Sequence, residues 1–259
     1  MSDKELIQKL ADLPPIAYDR VRVATAKGLD IRPATLDKMV KELRKQAQGS
    51  DSMPYDEIES YPHAISPGEL LDEIAATIRR FIVCRNETVI AATLWIAMTW
   101  FIDVIDIAPL AIISAPEKRC GKSQLLFLLR RLVYRPIVAS NITPAALFRS
   151  IDLWHPTLLI DEADTFMRDN EELRGLINCG HTRDSAYIIR VVGEEHTPKT
   201  FFVWGAKALA GIGKLPATMM DRAITLELRR KKPDELTERL RHAEVGTIPG
   251  SCFQACQIR

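Results

Sequence analysis

The sequence predicts an α/β fold in which helices cover a parallel β-sheet, and the order of its segments is the main reason. From Leu110 onward, short apolar runs alternate with helical stretches: "LAIIS" (110–114), "KSQLLFLLRRLV" (122–133), "PIVAS" (136–140), "ITPAALFRSID" (142–152), "TLLID" (157–161), "EELRGLINCG" (171–180) and "FFVWG" (201–205). Strand-length apolar runs separated by helix-length segments are the pattern of βα units. The composition agrees. A chain of 259 residues that is 47% hydrophobic and 27% charged has the make-up of a globular protein and can bury one full core plus a smaller appendage.

The elements before that alternation are helical. The start, "MSDKELIQKL", carries charge where a secretory leader needs an apolar run. Residues 16–48 read as two helices broken at Gly28, with Val21, Val23 and Ala24, then Leu36, Met39, Val40 and Leu43, at helical spacing. Two readings stay open for this pair. Either it is a DNA-reading helix-turn-helix presenting Lys38, Lys41, Arg44 and Lys45, or it is a helical hairpin with a solvated charged face. Residues 49–67 hold three prolines and no period and read as a linker.

Helices over 68–83 and 88–102 follow. The second contains the longest uncharged stretch, which falls about five residues short of a roughly 20-residue membrane span; Asp103 and Asp106 end it. Five cysteines without a paired C-x-x-C set read as free thiols of a reducing cytoplasm. The expectation is a soluble cytoplasmic protein with no membrane partner. Lys+Arg 35 against Asp+Glu 34 leaves no general field for nucleic acid, so any DNA contact must be local.

The chemistry is carried by two strand ends. "ISAPEKRCGKSQLL" (113–126) places Gly121-Lys122-Ser123 between a short buried strand and a helix that opens at Gly121. In that setting backbone N–H groups and the helix dipole converge on a phosphate. The stretch Glu117, Lys118, Arg119, Cys120, Gly121, Lys122, Ser123 and Gln124 is thus the expected nucleotide-binding loop, with Lys122 on the outer phosphates and Ser123 on Mg²⁺. Pro116 stands where the usual pattern has its first glycine, and it can set the turn's φ instead. The second strand end is "TLLIDEAD": four apolar residues closed by Asp161-Glu162, 39 residues after Lys122. Asp161 suits a Mg²⁺ ligand and Glu162 a group that polarises the attacking water. A guanine-reading N-K-x-D motif is absent from the sequence. A kinase would not need Glu162, because its acceptor is a substrate hydroxyl.

Several segments together, "APEKRCGKSQLL", "SNITPAALFRSID", "PTLLIDEADTFM", "LRGLINCGHTRD" and "WGAKALAGIGKLPATMMDRAITLELRRK", resemble the AAA-type P-loop ATPase module found in phage, prophage and plasmid primase–helicase proteins. The resemblance runs from about Gly68 to Lys232 in unbroken order. It implies a P-loop NTPase sheet, ATP with Mg²⁺, a homo-oligomeric ring, and unwinding or remodelling of DNA during replication. By position it implies that Arg222 reaches a neighbouring subunit's γ-phosphate as a catalytic group. It also makes Lys207, just after "FFVWG", the nearest polar residue to the family's phosphate sensor.

Residues 186–205 read as a plain hairpin turning at Gly193-Glu194-Glu195. His155, His181 and His196 lack metal-ligand spacing, and the basic run at 228–233 reads as a solvated strand end. A helix is expected over Pro233–Glu244. Beyond it the family's lid is not recognisable, so residues 233–259 read as a truncated or divergent tail. A chain with such a tail is expected to bind ATP, stay mostly monomeric and turn over slowly. Three function classes follow: an ATP-dependent DNA motor, a non-hydrolysing ATP-binding remnant or regulatory subunit, or an ATPase switch that remodels protein rather than DNA.

Overall fold

The computed structural model describes residues 3–50, 53–55, 65–117, 119–140, 142–167, 170–193, 196–211, 215–238 and 240. It divides into two compact units, Met1–Pro54 and Tyr55–Arg259.

The first unit holds three helices, α1 (Asp3–Ala11), α2 (Pro15–Gly28) and α3 (Pro33–Ser50). Proline opens α2 and α3 because its fixed φ suits a first turn and its missing N–H would have had no intrahelical partner there. Ile7, Leu10, Tyr18, Ala26, Leu36 and Val40 form a small core of their own. The α2 stripe differs from the one read in sequence: Tyr18 and Ala26 point inward, whereas Val21 and Val23 are exposed. Tyr18 is drawn inward by its hydroxyl, which donates to Asp37 Oδ1 at 2.7 Å, and Arg22 donates to the other oxygen of the same carboxylate. Lys38 and Lys41 are exposed; the side chains of Arg44 and Lys45 lie outside the described residues. Helix α3 runs two residues into the expected linker.

The second unit begins with α4 (Pro67–Phe81) and α5 (Asn86–Trp100) and continues into the alternation. Its strands are β1 (Leu110–Ser114), β2 (Pro136–Ala139), β3 (Thr157–Ile160), β4 (Tyr187–Val192), β5 (Thr197–Phe202), β6 (Lys207–Ala210) and β7 (Ala223–Glu227). Between them lie α6 (Lys122–Leu132), α7 (Pro144–Trp154), α8 (Ala163–Met167), α9 (Glu171–Cys179) and α10 (Ala217–Met220). Five strands form one sheet in the order β2-β3-β6-β1-β7, and every pair in it is parallel. The three inner strands are almost wholly buried, as a sheet covered on both faces requires, and so they read as continuous apolar runs. Helix α6 carries the chain from β1 across β6 and β3 to the far edge. Its inward face of Leu125, Leu126, Leu128, Leu129 and Leu132 is buried.

Three indoles anchor the frame through their N–H groups, each finding a backbone carbonyl at an element's end. Trp95 donates to Pro109, Trp100 to Leu132 and Trp204 to Ile102. The first of these pins α5 to the residue that feeds β1.

Strands β4 and β5 pair antiparallel as a separate hairpin, turning at Gly193 with φ +75. The sequence predicts "FFVWG" as a sheet strand, but its first two residues end this hairpin, and the sheet strand is "KALA", Lys207–Ala210. Helix was also expected over Pro233–Glu244. The described part, 233–238 and 240, is not helical; the Glu235 carboxylate instead takes both guanidinium nitrogens of Arg229 and the N–H of Lys232. Residues 241–259 lie outside the described residues. No helix among the described residues is long and apolar enough to cross a membrane.

Leu129 is fully buried between α6 and the sheet. Leu129→Ala should cost about 2–5 kcal/mol of unfolding free energy in a denaturant titration, whereas Gln124→Ala on the exposed face of the same helix should cost under about 0.5 kcal/mol.

Candidate active site

The parallel ladders bring two of the predicted strand ends to one level. Ile160 of β3 pairs with Leu209 of β6, and Ala210 of β6 pairs with Ile113 of β1. Asp161, one residue past Ile160, therefore stands level with Ala210 and Ile113, just below the loop that leaves β1. One strand separates β1 from β3, so the two strand ends are about 10 Å apart. Outgoing connections from β1 and β6 run in opposite directions along the sheet, towards β2 and towards β7. A crevice at such a reversal, beyond the carboxyl ends of parallel strands, is where open α/β sheets bind ligands.

The loop from Ala115 to Gly121 turns the chain from strand into helix with two left-handed residues, Arg119 at φ +66 and Gly121 at φ +88. Gly121 caps α6 in that conformation, which a Cβ would strain even though there is room for one. Cys120 between them is buried and anchors the loop to the core. Lys122 opens the helix, and its ammonium turns back to donate to the Glu117 carbonyl at 3.3 Å. The cation is thus held against the loop's own backbone. Ser123 and Gln124 are exposed on the first turn of α6. Lys118 lies outside the described residues.

At the end of β3, Glu162 is exposed and has φ +53, an uncommon conformation for a residue with a side chain; its N–H donates to Asp161 Oδ1 at 2.9 Å. Strain of this kind collects at functional sites. Gly211 closes β6 beside these acids, where a Cβ would stand 3.0 Å from Asp164 Oδ1. Asp161 and the Ser123 hydroxyl are hard oxygen donors. Among the described residues no group of three or more His, Cys, Asp or Glu is placed to hold a metal ion. A divalent cation here would keep waters and substrate oxygens in its shell, the habit of Mg²⁺.

The other two predicted residues stand at the opposite edge of the sheet. Arg222 immediately precedes β7: its carbonyl accepts from Leu110 N–H, and its guanidinium donates to Asn178 O at 3.3 Å. It lies roughly 16 Å down the strand direction from the loop. Lys207 is the first residue of β6, not a residue after the strand, and so sits about 10 Å below that strand's carboxyl end. It is fully buried, with Nζ donating to the carbonyls of Gly180, Val203 and Gly205. The expectation that it senses phosphate is corrected by that position. The error came from assigning the fourth strand to "FFVWG", which moved Lys207 from one end of a strand to the other. The usable signal was the apolar "ALA" run closed by Gly211, which marks where the true strand ends.

Burial pushes the Lys207 ammonium down from 10.5 to about 7, and the neighbouring Cys179 opposes that shift. His181, at the same edge, is also lowered, first by burial and then by the charges of Arg222 and Lys207. Gly180 is needed for space, since a Cβ there would come within 2.3 Å of Lys207 Nζ. The folded chain releases the Lys207 proton before the unfolded chain does. Stability should therefore rise as pH climbs from about 7 towards 10, by about 1 kcal/mol per pH unit. Denaturant titrations over that range should show this slope in the parent and its loss in Lys207→Met.

No family model matches the chain, and no curated protein matches it either.

Proposed function

We propose that the carboxyl edge of this sheet is a P-loop ATPase site of the AAA type that binds ATP with Mg²⁺. The observation that carries this reading is the loop itself. It is a strand-to-helix turn with two left-handed residues, its lysine folded back over its own backbone, level with a strand-terminal Asp-Glu pair. Each part has a task. The loop's N–H groups and the first turn of α6 receive phosphate oxygens. Lys122 exchanges the Glu117 carbonyl for the outer phosphates. Ser123, on the first turn of α6, and Asp161, just past β3, would hold magnesium, which would neutralise charge on the phosphates. Glu162 accepts a proton from the water whose oxygen attacks the γ-phosphorus as the bond to the β-phosphate oxygen breaks and ADP leaves.

Arg222 cannot serve its own chain's nucleotide from the far edge. In this reading it serves another copy's, which makes hydrolysis a property of the assembled ring. Coupling to DNA follows from the sequence resemblance alone.

Lys122→Ala should weaken binding of a fluorescent ATP analogue by about 1.5–3 kcal/mol, the worth of a hydrogen bond to a charged group. Glu162→Gln should bind as the parent does but hydrolyse roughly 10²-fold more slowly. Parent-like behaviour of both variants would sink the reading. A chain that binds ATP through Lys122 but never hydrolyses it would be the regulatory alternative.

If Arg222 works between copies, specific ATPase activity should rise with protein concentration. Mixing Arg222→Ala with Lys122→Ala chains should then restore part of the activity that each lacks alone. Activity independent of concentration, with no rescue on mixing, would place hydrolysis within one chain.

A further inference from the structure

We infer that Arg230 is a second phosphate-binding cation of this site, kept in place by Glu117 until a nucleotide displaces that carboxylate. The inference rests on the nucleotide reading above and adds a residue that the loop motif does not contain. It starts from the pairing of β7 with β1. Glu227 is in register with Ser114, and Leu228 N–H donates to Ser114 O at 2.8 Å. The chain therefore leaves β7 alongside the point where the phosphate loop leaves β1, and Arg230 follows only three residues after the strand.

The basic run there is divided in use. Arg229 is committed to Glu235, which takes both of its guanidinium nitrogens. Arg230 turns the other way, and its Nη1 lies 3.3 Å from Glu117 Oε2. Glu117 thus engages both cations, Lys122 through its carbonyl and Arg230 through its side chain. A glutamate's carbonyl and carboxylate oxygens can be at most about 7 Å apart, so the two cations lie within about 14 Å of each other.

The Arg230–Glu117 pair is exposed, with side-chain exposures of 69% and 50%. A pair so open to water is weak and exchanges readily. A polyphosphate is a stronger partner, since it carries several charges and accepts the guanidinium fork at two oxygens. In the same step Glu117, whose negative charge opposes the incoming phosphates, is released to solvent. Glu117 therefore competes with the ligand for Arg230.

That competition separates this role from a merely structural ion pair. If the pair only braced the loop, breaking it from either side would change nucleotide affinity in the same direction. If Arg230 binds phosphate, the two substitutions act with opposite signs. The test measures affinities of MgATP, AMP and inorganic tripolyphosphate for the full chain, by competition against a fluorescent ATP analogue, with melting temperatures recorded for each variant. Arg230→Gln should weaken ATP and tripolyphosphate roughly tenfold, the lower end for a lost charged hydrogen bond, and leave AMP within about twofold. Glu117→Gln should tighten ATP severalfold, and Arg230→Lys should recover part of the loss by keeping the charge.

Same-sign effects of Arg230→Gln and Glu117→Gln would overturn the inference. So would an equal loss for AMP, which would mean contact with base or ribose. Arg230→Gln binding like the parent, while Lys122→Ala still weakens binding, would sink this inference and leave the ATPase site standing. A parent chain that binds neither ATP nor tripolyphosphate would remove both.

Discussion

Everything at the candidate site depends on β6 lying between β1 and β3. A fully parallel sheet has no hairpins to set its strand ends, so the levels of its loops are fixed only by ladder register and by the burial of each strand on both faces. Ala208, Leu209 and Ala210 have no accessible surface. A slip by one residue would drive larger or polar side chains into a packed layer and move the Asp161 end relative to the Gly121 loop. The apolar centre of the sheet thus sets the spacing of polar groups that never touch it. Small residues in β6 suit that place, because helices packed on both faces leave little depth between them.

Much of this was legible in the sequence because the relevant signals are local. Gly121 marks a left-handed position, "LAIIS" and "TLLI" are strand-length apolar runs, and Asp161-Glu162 ends one of them. Besides the helix expected over Pro233–Glu244, two readings failed where tertiary context outweighs local pattern. "FFVWG" has the composition of a buried strand, and Phe201, Val203 and Trp204 are indeed buried. They are buried, however, as the end of a hairpin and the link that follows it. In α2, helical spacing alone favoured the valines, whereas Tyr18, bonded to Asp37, and Ala26 are the residues that face inward. Arg230 could not be read at all, since its meaning depends on a strand pairing that joins residues more than a hundred positions apart.

Lys122, Lys207, Arg222 and Arg230 show how environment, not residue type, assigns a cation its role. Lys207 is buried with three carbonyl acceptors, and it joins the end of α9 to the link that precedes β6. Lys122 and Arg230 make single bonds to one loop residue and stay open to solvent. Arg222 rests lightly on a helix end at the far edge. A buried ammonium with its donors satisfied is costly to move, whereas a half-solvated one can trade partners within the energy of an ordinary ligand contact.

The β4–β5 hairpin carries a different vulnerability. Tyr187, Ile189 and Val191 of β4 are exposed, while Ile188 and Val192 of the same strand pack inward. With apolar residues on both faces, alternation gives this strand little preference for one register over its neighbour. What pins it includes the base of the hairpin, where Asp152 accepts the Phe202 N–H at 2.8 Å and Phe201 packs against Phe148 in a tilted pair with centroids 4.6 Å apart. A change in the length of the turn after Gly193 would therefore leave the residues that meet α7 in place. Changes at Asp152, by contrast, would remove one of the contacts that hold the base of the ribbon. This hairpin is anchored like a hinged flap, and its tolerance to insertion should grade from high at the turn to low at the base.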